Sequence, residues 1–401
     1  MKRTVILSSV VLLVLNATMN LSLAQSEPNQ FDLATILPAS LIQTSTYEIA
    51  NPVTVNDFQF QFQVSTRHGT FPVSGILLLE KRLSELKAIE AAGAMSQEKI
   101  SLNSAWETVK KTPRGAGHLL SDPLGVLSRA PRGFERMATD LLNPIDRRVG
   151  SQTRRKLAVS LGVDPETRNP VLDHLLDALV AREFVGGAAT KFVLSAAIPG
   201  LGLLSSMEDA QQVILARAPH EIIADLDSEL TQMGVWAPIK NAFINNVRWT
   251  MLEKLTFVKF YRILSGIEHA DVMFYLANQD ASEAEILQTL MEMRLLVDLH
   301  SRSPIQSITD GGLPVAWLAD GQIVGVCSVD YLTNSDVVQK VASGFRRANP
   351  QRKISFISTG WVSPNATQTL AANNISFVRA NFASNPDIGV GQNSNQSGTR
   401  R

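Results

Sequence analysis

The sequence predicts a mainly helical α+β protein with an N-terminal strand-helix unit, a helical middle domain and a small C-terminal α/β domain. Three observations predict it. Phe58-Gln-Phe-Gln-Phe-Gln-Val64 alternates apolar and polar residues strictly, long helical periodicity runs from Met207 to His300, and strand and helix patterns exchange regularly from Pro314 to Arg379.

The chain opens with Lys2 and Arg3, an apolar run from Val5 to Leu15, and Ser22-Leu23-Ala24. This is the pattern of a secretory signal peptide over 1–24, with the mature chain starting at Gln25. The apolar run is shorter than the roughly 20 residues that span a bilayer, and no cysteine stands near the cleavage point for lipid attachment. The expectation is an exported protein, periplasmic or secreted. Without Lys2 and Arg3, 35 basic residues stand against 37 acidic ones, a net charge of −2 that gives no global attraction to nucleic acid. Cys327 is the single cysteine, so no intrachain disulfide supports the fold.

Within 25–100, Phe58, Phe60, Phe62 and Val64 fall on one face of a strand. Thr66-Arg-His-Gly69 reads as a turn, and Phe71-Pro-Val73 returns as a short partner strand. From Ser74 to about Ala94 the spacing becomes helical. Leu79, Leu83, Leu86 and Ile89 share one side, with Glu80, Lys81, Glu85 and Lys87 on the others.

Residues 101–160 form a basic strap punctuated by glycine and proline. PRGAGHLLSD at Pro113–Asp122 is echoed 18 residues later by PRGFERMATD at Pro131–Asp140. That interval equals five α-helical turns, but Pro113, Pro123 and Pro131 break any continuous helix into short pieces. Between Ser104 and Lys156 eleven basic residues face five acidic ones, whereas between Glu208 and His300 fourteen acids face seven bases. Two partners fit this charge division. The strap wraps the acidic helices of its own chain, or it binds an anionic membrane surface or envelope component through Arg114, Arg132 and Arg136.

The helical domain is expected over 161–303. Val163-Asp-Pro-Glu-Thr-Arg-Asn-Pro170 reads as a turn leading into a helix, with Asn169 as cap and Pro170 at the first helical position. The apolar segment Gly186–Leu204 carries Lys191 and is cut by Pro199-Gly200, which favours buried helix packing over membrane spanning. Asp280-Ala-Ser282 starts a helix whose apolar side carries Ile286, Leu287, Leu290, Met293, Leu296 and Val297.

The C-terminal domain is expected over 304–383, with strands at 314–319 and 322–329 around the Asp320-Gly321 turn. A helix at 335–348, a strand at 353–358, a helix at 364–372 and a strand at 375–379 follow, the late strands roughly parallel. The tail 384–401 has little to bury and reads as disordered.

Most catalytic constellations are absent from the sequence: no Gly-x-Ser-x-Gly, no phosphate loop, no Cys-x-x-Cys. His220-Glu221 begins like a zinc protease motif, but Ala224 stands at its second histidine position. Asp173, His174 and Asp177 share a helix start, a spacing common on solvated helices, so neither a metal nor another cofactor is expected. One weak ligand site survives, because ligands in open α/β sheets sit beyond the carboxyl ends of the strands. Those ends bring Asp330 and Tyr331 near Thr359, Gly360 and Trp361, either as a polar ligand site or as a helix start, a turn and a core cover.

FQFQVSTRHGTFPV with its leucine-rich helix, the strap with its SDP, VDPETRNPVLDHLLDALV, DYLTNSDVV and STGWVSPNATQTLAANNI together resemble an uncharacterised family of exported bacterial proteins. The resemblance lends no activity or catalytic residue. The residues themselves lead to the expectation of a non-enzymatic exported binding or scaffold protein of the cell envelope; the alternative is an enzyme of unrecognised class at the C-terminal strand ends. The last stretch also resembles the strand-helix-strand end of restriction-endonuclease-like folds, whose Asp and Glu-x-Lys have no counterpart in the preceding strands.

Overall fold

The computed structural model describes residues 27–67, 69–95, 151–181 and 203–380. The expected signal peptide, the strap arginines Arg114, Arg132 and Arg136, the apolar segment up to residue 202 and the tail lie outside the described residues.

Five antiparallel strands come first: β1 (Gln30–Phe31), β2 (Tyr47–Ile49), β3 (Val53–Asn56), β4 (Gln59–Thr66) and β5 (Gly69–Ser74), with the short helix α1 (Ala39–Ile42) before β2. β3 and β2 pair with successive halves of β4, and β5 pairs along its other side from Gln61↔Ser74 to Thr66↔Gly69. The expected alternation holds for Phe60, Phe62, Val64, Phe71 and Val73, which are buried on one face. Phe58 departs from it. It lies in the turn before β4, where Asp57 and Phe58 take left-handed φ values of 47° and 64°.

The leucine-rich helix is α2 (Ile76–Met95). After it come α3 (Gln152–Ser160), α4 (Pro170–Ala181), α5 (Glu208–Ala216), α6 (Pro219–Gln232), α7 (Ala237–Ile244), α8 (Met251–Leu264), α9 (Val272–Gln279) and α10 (Glu283–Arg302). Asn169 Oδ1 accepts from Val171 and Leu172 N–H at the start of α4, and Ser282 with Glu285 forms a capping box on α10, as their sequences predict. Phe243, Trp249, Phe257 and Phe274 pack edge to face or tilted, with ring centroids 4.8–5.5 Å apart, in the core of α7–α9.

The leucine face of α2 is only part of its buried surface. Every residue from Ile76 to Leu86 is buried, including Glu80, Lys81, Arg82 and Glu85. β4 and β5 cover one side while α4 and α10 cover others, so the charges expected toward solvent lie inside. A helix enclosed in this way has to pair its charges with protein groups.

The C-terminal sheet has the order β12-β10-β8-β7-β6: β6 (Ile305–Asp310), β7 (Pro314–Leu318) and β8 (Ile323–Cys327) form an antiparallel meander, and β8, β10 (Ile354–Ser358) and β12 (Ile375–Arg379) run parallel. β9 (Tyr331–Leu332) and β11 (Trp361–Val362) make a separate parallel pair; α11 (Asp336–Ala348) and α12 (Pro364–Ala372) connect the parallel strands. β6 escaped the sequence pattern because its register slips between Ile305 and Ser307, which breaks the period of two. Ile308, Ala316, Val324 and Val326 join the main core on the α10 side of the sheet, while Val315, Ile323, Phe356 and Ile375 form a second core with Val338, Ala342, Ala366 and Leu370 of α11 and α12. Among the described residues no helix is long and apolar enough to cross a membrane.

Candidate functional site

The five residues expected at the strand ends do come together. Tyr331 of β9 lies opposite Trp361 of β11, and Trp361 N–H donates to Asp330 O at 2.9 Å. A Cβ on Gly360 would overlap the carbonyls of Val329 and Asp330, so the close approach of these two loops depends on glycine. Thr359 O accepts from Arg379 Nε at 3.2 Å, and the Arg379 guanidinium lies 3.8 Å from the centre of the Trp361 ring.

The N-terminal sheet fills the space beyond these strand ends. Phe60 packs on Tyr331 and Trp361 with centroids 6.2 and 5.9 Å away, and Phe31 lies 4.5 Å from Tyr331. Phe58 O accepts from Asp330 and Tyr331 N–H at 3.0 and 3.1 Å. Asp330 Oδ2 in turn accepts from Phe60 N–H at 2.9 Å and Ile76 N–H at 3.0 Å, so it caps the first residue of α2 from the far end of the chain. Burial pushes the Asp330 carboxyl up to about 7, against the pull of these two donors. Both donors converge on Oδ2, which leaves Oδ1 to carry a proton. A carboxylate used in this way ties two parts of the fold together.

A second charged centre surrounds α2. Lys81 contacts Glu253 at 3.1 Å and Glu283 at 2.6 Å; Arg82 holds Glu85 at 2.8 Å and also Glu283. Arg168 reaches Glu253 at 2.7 Å and Glu283 at 3.2 Å. Glu85 also accepts from Thr167 Oγ1 and Asn169 Nδ2, which connects the lattice to the turn before α4. Burial works against the charges of Lys81, Arg82, Arg168, Glu253 and Glu283, yet their partners prevail. Arg168 and Lys81 hold Glu253 down to about 2, Arg82 and Lys81 hold Glu283 well below the ordinary range, and the cations rise in return.

At its edge the lattice turns acidic. Asp164 accepts from Thr250 Oγ1 at 2.7 Å and is raised by burial despite Lys81; Glu166, which accepts from Met251 N–H, is pushed up to about 7 by burial and then by Asp164. A cavity of about 50 Å³ opens beside them, lined by Lys81, Ser84, Glu85, Asp164, Gln211 and Glu253 together with apolar neighbours such as Leu204, Met207 and Leu252. Ser84 Oγ is buried there without a hydrogen-bond partner. A polar void of this size suits one or two waters.

Asp173 and Asp177 bind the guanidinium of Arg154, the described end of the basic strap, whose side chain is buried. Among the described residues no group of three or more His, Cys, Asp or Glu is placed to hold a metal ion. Sequence reasoning missed the lattice because Lys81, Arg82 and Glu85 look like ordinary solvated helix positions. The available signal was the apolar run Ile76–Leu79 beside them, which leaves that helix without a polar face. Glu27 was missed as well; it reaches Ser363 from the other end of the chain.

Against this geometry, the chain matches no family model, no curated protein and no solved structure.

Proposed function

We propose that the protein is a non-enzymatic, exported cell-envelope binding or scaffold module, and that the partner of its basic strap is an anionic surface. The observation that carries this is where the acids of the helical region are engaged. Glu253 and Glu283 face Lys81, Arg82 and Arg168. Asp209, Asp225, Asp227 and Glu229 pair with Lys259, Arg217, Lys240 and Arg262. Glu221, Glu285 and Glu292 accept backbone N–H groups. Nine of the fourteen acids of 208–300 thus have partners within the body, which weighs against that region being held open for the strap. Asp330, the carboxylate among the five residues expected at the C-terminal strand ends, is committed to Phe60 and Ile76, which favours a structural over a catalytic role.

The test is fractionation of cells expressing the full chain, wild type beside the triple variant Arg114→Gln, Arg132→Gln, Arg136→Gln, with salt washes and an unfolding midpoint for both. The expected result is membrane association that rising salt removes and that the equally stable variant lacks. A wild type that stays soluble at low salt, with a variant of lower stability, would make the strap an internal tie and sink the proposal.

A further inference from the structure

The residues before β1 carry a carboxylate across the molecule. Glu27 Oε1 accepts the Ser363 hydroxyl at 2.8 Å and the Asn334 backbone N–H at 3.0 Å. Ser363 is fully buried and caps α12: its Oγ accepts from Ala366 N–H at 3.0 Å while its proton goes to Glu27. Asn334 is itself positioned by Thr369, whose hydroxyl lies 2.9 Å from Asn334 Oδ1. Glu27 Oε2 is buried and has no hydrogen-bond partner.

We propose that Ser363, the Asn334 N–H and the start of α12 form a carboxylate-accepting pocket just past the parallel pair β9 and β11, which Glu27 fills as an intramolecular plug. Two observations beyond the helix start carry this. A carboxylate is already seated there, brought from more than 300 residues away, and its second oxygen is enclosed without a donor. The donors are a hydroxyl, a backbone N–H and a helix terminus, and among the described residues neither lysine nor arginine pairs with Glu27. That donor set suits a singly charged planar carboxylate better than a doubly charged phosphate. The position lies at the carboxyl ends of β9 and β11, and Phe31, four residues after Glu27, closes over Tyr331 beside it. Loss of the plug frees a site for an external carboxylate.

The experiment is chemical rescue with acetate. Thermal unfolding of wild type, Glu27→Ala and the double variant Glu27→Ala, Ser363→Ala is followed against sodium acetate, with sodium chloride at matched ionic strength as control. Acetate is expected to raise the Glu27→Ala midpoint by on the order of 1–3 °C with saturation, and to move the other two no more than chloride does. An equal response in all three, or none beyond chloride in Glu27→Ala, overturns the pocket. Should Glu27→Ala not fold in chloride, its recovery of folded protein on dilution from urea is measured against acetate and against chloride instead. Recovery that rises with acetate and saturates supports the pocket, and recovery equal to that in chloride overturns it.

Discussion

The backbone N–H of Phe60 donates to the carboxylate of Asp330 at 2.9 Å, a bond made across 270 residues of chain. Together with the Ile76 bond and the two donors to Phe58 O, it joins the N-terminal sheet and the start of α2 to the C-terminal strand ends. The left-handed turn at Asp57 and Phe58 is what aims the Phe58 carbonyl into this seam. The place where an α/β sheet would present a ligand crevice is a joint of the fold.

Stability should therefore depend on the protonation of Asp330. Its carboxyl titrates near 7 in the folded chain and near ~3.9 when unfolded. Between those values the folded state binds more protons than the unfolded one, so stability is fully present below about pH 4, falls as pH rises through the window and levels off above about pH 7. Glu166, Glu292 and Asp280, raised to about 7, 7 and 8 mainly by burial, act in the same direction. Asp330→Asn keeps an acceptor for both N–H groups and cannot ionise. Urea unfolding should find it on the order of 2–4 kcal/mol more stable than wild type at pH 8 and equal at pH 4. Asp330→Ala, having orphaned two buried donors, should lie roughly 2–4 kcal/mol below the Asn variant at both pH values, and so below wild type at pH 4 and close to it at pH 8. An Asn variant that tracks wild type at both pH values would mean the carboxyl is ionised in the fold.

Two glycine substitutions should move stability in opposite directions. Gly360→Ala forces a methyl into the carbonyls of Val329 and Asp330 and should cost roughly 3 kcal/mol or more, since both loops are fixed by strands on either side. Gly344 lies within α11 with nothing near its missing side chain, so Gly344→Ala should gain about 0.5–1 kcal/mol. Thermal melts of the two variants beside wild type decide it.

Elements fixed by local chemistry were legible in the sequence. The β4–β5 hairpin and the Asn169-Pro170 and Ser282 helix starts rest on residues within a few positions of one another, and the parallel late strands on the regular alternation of strand and helix between them. What escaped depends on partners far away. Nothing near Glu80-Lys81-Arg82 tells that α4 and α10 enclose it, and Asp330 reads as the start of a following helix because its donors, Phe60 and Ile76, lie over 250 residues upstream. The five strand-end residues were grouped correctly from strand grammar alone. Their covering by Phe31 and Phe60 is a tertiary fact without a local signature.

Cys327 should be a poor nucleophile in the folded protein. Burial, and then the charge of Glu292, push its thiol up to about 12, against ~8.5 for an exposed cysteine. The thiolate fraction at pH 8 falls by roughly three orders of magnitude, so a disulfide reagent should modify the native chain more than a hundredfold slower than the urea-unfolded chain. Glu292→Gln should narrow that ratio by lowering the thiol pKa. A native rate within tenfold of the unfolded rate would contradict the placement of Cys327 against Glu292.

The lattice around α2 should dominate acid unfolding. Glu253 and Glu283 titrate below their unfolded values, so their contribution is complete above about pH 4.5 and is lost as pH falls toward 2. Glu283→Gln leaves Lys81, Arg82 and Arg168 short of a counter-charge and should cost about 3–5 kcal/mol at pH 6. Because part of the acid-sensitive stabilisation is already gone, this variant should lose less than wild type between pH 5 and pH 3. Replacing Arg82 and Glu283 together by Met removes a charge of each sign, and should cost less than the sum of the two single Met variants by about 1–3 kcal/mol. Urea midpoints at pH 3, 5 and 6 for the single and double variants measure both effects. An acid slope in Glu283→Gln equal to that of wild type, or strict additivity of the Met pair, would show that the charges around α2 do not act as one network.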